Sequence, residues 1–146
     1  MLTLGSAVLF TVAMVISPVA PAADSSFHQE APASLAVAIT IDAEHLIELY
    51  QSVPDLQIID SRHYEDRSLG YIETSYNLPL AYTNCASLAK MARNKDQAFV
   101  FYCNGNAADT SIDAIQIASS CGYKRLFWLR GGFVEWEDKD YPFVIE

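Results

Sequence analysis

A cysteine that closes an apolar run and is followed at once by small polar residues is a candidate nucleophile, and Cys103 has that setting in FYCNGNAADTS, residues 101–111. The thiolate is the reactive form, and both backbone N–H groups and the positive end of a helix favour it over the thiol. Asn104, Gly105, Asn106, Ala107, Ala108 and Asp109 can curl around the sulfur, with Gly105 admitting backbone conformations that a side chain forbids. A helix starting near Thr110 or Ser111 then points its N-terminus at Cys103. The same position also suits a buried structural thiol, a common fate for cysteine. The hydroxyls of Thr110 and Ser111 can donate to the sulfur or cap the helix, and capping is the more general use.

The elements that must place this cysteine are legible around it. LQIID, AFVFYC and RLFWL are short runs rich in β-branched and aromatic residues, as expected for strands covered on both faces. Between the last two lies SIDAIQIASSCG, in which Ile112, Ile115 and Ala118, with Ala114, Ile117 and Cys121 on an adjoining stripe, form a broad apolar face ended by Gly122. Strand, helix and strand in so short a span is a βαβ unit, so the sheet is at least partly parallel. Ligands of such sheets sit at the carboxyl ends of the strands. Asp60 and Arg62 after the first run, Cys103 after the second, and Arg130 with its glycine pair after the third all fall there. An earlier helix over residues 43–51 follows Asp42 as N-cap, with Ile41 and Leu46 placed as a hydrophobic staple.

The chain has 146 residues, enough for one compact domain, and shows no internal repeat or second domain. Residues 2–16 are uncharged and apolar, and SPVAPAADSS after them carries Ala20 and Ala22 in A-x-A spacing. This predicts a signal peptide over residues 1–22, hence a periplasmic or secreted bacterial protein. The alternative is an uncleaved membrane anchor, since no Lys or Arg precedes the run and its length approaches that of a span. Residues 23–36 read as a linker or mobile arm, and residues 37–146 as the domain.

No charged residue falls in residues 1–22, so the formal charge of −9 belongs to the remainder and disfavours nonspecific contact with nucleic acid or anionic lipid. Three cysteines make an odd set in a compartment that permits disulfides. Cys121, on the last turn of an apolar helix, is read as core; Cys85 is read as starting a helix, with a resolving role toward Cys103 or pairing with Cys121 left open. His28, His45 and His63 are scattered without ligand spacing, so no metal site is expected. Trp128, Phe133 and Trp136 are read as core and pocket wall, and the acidic C-terminal stretch as a solvated helix end.

IIDSR, DRSLGYIETSYNLPL, FYCNG, CGYKRLFWLRGGFVEW and YPFV occur in an order that resembles single-domain rhodaneses, over residues 39–144. The resemblance implies a five-stranded parallel α/β domain, no cofactor, and Cys103 in the place of the family's sulfur-carrying cysteine. Its partners would be a small sulfur donor such as thiosulfate and an acceptor such as cyanide, a small thiol or a protein thiol. An amide-lined loop suits that chemistry because it can hold a terminal persulfide anion between two half reactions.

One departure stands out. Where active loops of the family carry a basic residue this chain has Ala108 or Thr110, with Asp109 between them, and no Lys or Arg occurs over residues 103–123. An acid there raises the thiol's pKa and repels a sulfonate, each effect about 1 kcal/mol. Phosphatase or arsenate reductase chemistry is disfavoured on the same ground, because the C-x5-R loop needs a bidentate guanidinium where this chain has Asp109. Arg62 and Arg130 are the nearest candidate replacements: Arg62 is read first as an ion pair with Asp60, while Arg130 is open between structure and substrate. The rival to a sulfurtransferase is a binding or accessory module on the same fold.

Overall fold

The computed structural model describes residues 31–105 and 110–146; the expected signal peptide over residues 1–22, the first part of the expected arm and Asn106, Ala107, Ala108 and Asp109 lie outside the described residues. Five strands, β1 (Ile39–Ile41), β2 (Gln57–Asp60), β3 (Tyr76–Asn77), β4 (Ala98–Tyr102) and β5 (Arg125–Leu129), form one sheet in the order β1-β5-β4-β2-β3. Every pairing is parallel. The connections carry α1 (Ala43–Ser52), α2 (Tyr64–Ser68), a 3₁₀ turn (Leu80–Tyr82), α3 (Cys85–Met91) and α4 (Thr110–Ser120), and α5 (Gly132–Asp138) follows β5.

The central strand explains the layering. All five residues of β4 are buried, and alternation sends Phe99 and Phe101 to one face and Val100 and Tyr102 to the other. Phe99 and Phe101 pack with Leu88 of α3, Ile112 and Ile115 of α4, and Trp128. Val100 and Tyr102 pack with Leu46 of α1 and with Phe133 and Trp136 of α5. Asp42 caps α1 as its residue type predicts, its carboxylate accepting from the His45 N–H.

Two parts of the chain are tied down more firmly than their sequences suggest. Ala31, in the stretch read as a mobile arm, is only 5 % exposed and belongs to the core on the α3 and α4 face. Cys121 is not a plain core residue: it is half-buried and disulfide-bonded to Cys85, with 5.4 Å between the Cα atoms. The expectation of core for Cys121 is corrected by that pairing. The bridge joins the first residue of α3 to the turn after α4, closing a loop of 36 residues, and leaves Cys103 outside any disulfide.

Candidate active site

Cys103 follows the last residue of β4, and the next elements in the chain, α4, β5 and α5, all reach back to it. Its side chain is buried, with the residue 1 % exposed. Ser111, in the first turn of α4, donates its hydroxyl to Cys103 Sγ at 3.2 Å. The Trp128 indole on β5 donates to that same hydroxyl oxygen at 3.1 Å. The sulfur's other described contact is weak, to the Gly105 carbonyl at 3.7 Å. Ser111 therefore faces the sulfur instead of serving as a cap, whereas Thr110 stands half-buried at the start of α4.

The N-terminus of α5 holds the loop from the other side. Phe133 N–H donates to the Cys103 carbonyl at 2.9 Å and Val134 N–H to the Asn104 carbonyl at 2.8 Å. This approach requires Gly132, which sits at φ +59°, and whose place any side chain would bring into collision with the Cys103 and Asn104 backbone. Gly105 lies against Gly131 and Val134. The backbone around Cys103 is thus set by α5 even though the intervening loop residues are small.

Asp60 and Arg62, expected as possible pocket residues, pair with each other in a buried hub. Asp60 is fully buried, and Arg62, 4 % exposed, grips its carboxylate through Nε at 2.9 Å and NH2 at 2.7 Å. The Arg62 backbone N–H at 3.1 Å, Arg67 NH1 at 3.3 Å and the Tyr102 hydroxyl at 2.8 Å also donate to the Asp60 carboxylate. Burial and the Asp60 carboxylate together hold the Tyr102 phenol well above its ordinary pKa, so it remains a donor. Arg62 also donates to the Gly70 carbonyl at 2.8 Å and lies over the Phe133 ring, 4.5 Å from its centre. Its described link to the cysteine loop is a long contact to Asn104 Oδ1, 3.4 Å. The reading of Arg62 as a structural ion pair is the one its geometry supports.

Arg130 does face open space. It lines a groove of about 1020 Å³ together with Asp42, His45, Asn104, Gly105 and Glu135. Its guanidinium also bonds the carbonyls of Pro32 at 2.9 Å and Ala31 at 3.0 Å, fastening the arm to the end of β5. Among the described residues, no group of three or more His, Cys, Asp or Glu is placed to hold a metal ion.

Sequence reasoning missed Arg67 and Tyr102 as partners of Asp60, and the Trp128 contact to Ser111. Only the last had a usable signal, since a buried indole N–H normally finds an acceptor.

The sheet order and the cysteine directly after β4 define a parallel α/β domain with a thiol at the carboxyl end of its central strand. The family model for the rhodanese-like domain matches residues 42–139, and the chain belongs to that family. Among solved structures it is similar to a Bacillus halodurans protein, at TM-score 0.65 and 20 % identity over 74 % of this chain and 77 % of that one. It is also similar to a thiosulfate sulfurtransferase from Pseudomonas aeruginosa, at TM-score 0.64 and 19 % identity, covering 74 % of this chain but 20 % of that one. A third is the polysulfide-sulfur transferase homodimer from Wolinella succinogenes, at TM-score 0.57 and 18 % identity over 76 % and 81 %. At such identities the likeness speaks for the fold alone. No curated protein matches the chain.

Proposed function

We propose that the chain is an exported sulfurtransferase in which Cys103 carries a sulfane sulfur as a persulfide. The observation that carries this reading is the family's cysteine position kept as a thiol, with a hydroxyl aimed at its sulfur, while the other two cysteines pair with each other. In the first half reaction the Cys103 thiolate attacks the outer sulfur of the donor, forming an S–S bond and releasing the donor remnant, sulfite if the donor is thiosulfate. In the second, an acceptor thiolate or cyanide attacks the terminal sulfur, and the Cys103 sulfur leaves as thiolate.

The donor is a small organic persulfide in preference to thiosulfate. Arg62 is committed to Asp60, Arg130 spends donors on the Pro32 and Ala31 carbonyls, and no Lys or Arg occurs over residues 103–123, so positive charge for a dianion is scarce. The acceptor is a small thiol or a protein thiol. The Cys85–Cys121 disulfide supports a periplasmic or secreted setting, because such bonds persist in oxidising compartments. Contact with a membrane would come only through an uncleaved apolar segment.

A second reading, a binding module with little catalysis, is favoured by one specific observation: Cys103 is 1 % exposed. Intact-mass spectrometry after incubation with thiosulfate or a small organic persulfide, with Cys103→Ser as control, separates the two. A one-sulfur adduct on Cys103 that a thiol removes supports transfer. The absence of an adduct with both donors overturns it in favour of the binding module.

A further inference from the structure

The sulfur loop has to stabilise an anion without a basic side chain of its own, and the described atoms nearest Cys103 show how. Trp128, Ser111 and Cys103 are all at most 1 % exposed. They come from β5, the first turn of α4 and the residue after β4, so only the folded βαβ unit brings them together. An indole has one N–H and no acceptor, whereas a serine hydroxyl has one proton and two lone pairs. With Trp128 Nε1–H on a lone pair at 3.1 Å, the Ser111 oxygen is oriented, and its proton goes to the sulfur at 3.2 Å.

We propose that Trp128 and Ser111 are positioning residues for the reaction, a fixed two-bond relay that points a hydroxyl proton at Cys103 and at the persulfide it carries. The role in transfer rests on the sulfurtransferase reading given above; the effect on the thiol does not. A neutral thiol is a weak acceptor and gains little from this hydroxyl. A thiolate is a strong acceptor and gains a charge-assisted bond. The thiol form has a use for its own proton, the long contact to the Gly105 carbonyl at 3.7 Å, which the anion forfeits. Ser111 is thus placed to bond the anionic sulfur more strongly than the thiol.

The test is the rate of Cys103 alkylation by iodoacetamide as a function of pH, followed by peptide mass under non-reducing conditions. Ser111→Ala is expected to move the midpoint of the profile up by about one pH unit, and to slow alkylation about tenfold below the midpoint. Trp128→Phe, which keeps a ring but frees the hydroxyl to turn, moves it the same way by less. Ser111→Thr, which restores a hydroxyl, returns the midpoint toward that of the parent.

A folded Ser111→Ala protein whose midpoint equals the parent's overturns the relay. So does a changed plateau rate with an unmoved midpoint, which signals altered access alone. If Ser111→Ala does not fold by circular dichroism, the Trp128→Phe midpoint decides in the same terms. The parent's ability to take up sulfur is measured separately, and its failure overturns the sulfurtransferase reading while leaving the alkylation result to stand.

Discussion

Gly132→Ala is the substitution that most directly tests whether α5 sets the cysteine loop. Gly132 lies at φ +59°, and an added Cβ would meet the Cys103 carbonyl oxygen and stand 2.8 Å from the Asn104 carbonyl oxygen. The left-handed backbone by itself costs an alanine about 1–2 kcal/mol. Relief of the collision moves α5 away from the loop and weakens two bonds, Phe133 N–H to Cys103 O and Val134 N–H to Asn104 O, each worth about 1 kcal/mol. The sum is about 3–4 kcal/mol.

Gly122→Ala supplies the comparison. Gly122 also has a positive φ, +92°, but its added Cβ would meet only the flexible Lys95 side chain, at 3.9 Å. Backbone strain alone, about 1–2 kcal/mol, is expected there. In urea unfolding at a slope of about 1.5 kcal/mol/M, Gly132→Ala should lower the midpoint by about 2 M and Gly122→Ala by about 1 M. Sulfur loading on Cys103 should fall only in the first. Equal midpoints for the two variants, or a Gly132→Ala protein that loads sulfur like the parent, would refute the claim that α5 holds the loop.

Two further outcomes are expected. Replacing both Cys85 and Cys121 by Ser opens a 36-residue loop and should cost about 3–4 kcal/mol in urea unfolding; a loss below about 1 kcal/mol would show the bridge to be dispensable. His45 should titrate above 6.5 by proton NMR, because the Asp42 carboxylate accepts its ring N–H and attracts its charge, and Asp42→Asn should bring it back toward that value. The sign follows from both partners. His45, raised in the fold, contributes stability that is present below pH 6.5 and lost as pH rises through its folded value. Asp42, lowered below 3.8 chiefly by the His45 backbone N–H, contributes stability that is lost as pH falls through its own folded value. The cap of α1 should therefore be firmest between about pH 4 and pH 6.5, and an His45 midpoint that ignores Asp42→Asn would count against it.

Much of the frame was legible because it depends on local pattern. AFVFY has the short, β-branched and aromatic make-up of a strand covered on both faces, Asp42 begins α1 as its residue type predicts, and the apolar face of α4 follows from its spacing. Placing Cys103 at a strand's carboxyl end needed nothing more, and the resemblance to rhodaneses extended that frame to five parallel strands. The edge strands β1 and β3, three and two residues long, are too short to leave a periodic signal and exist through pairing with β5 and β2.

What the chain declares by itself is therefore the run of elements and the place of Cys103 at the end of a strand, since both rest on the chemistry of neighbours in sequence. What only the tertiary structure decides is the company each group keeps. Arg62 could be a donor-binding cation until Asp60, Arg67 and Tyr102, the last 42 residues from Asp60, close around one buried carboxylate. Cys121 could be core until Cys85 arrives from α3. Ser111 could be a cap until β5 sets an indole behind it and β4 a sulfur before it. A buried polar group takes whichever partner the fold brings within hydrogen-bonding reach, and residues distant in sequence come that close only once the sheet has formed.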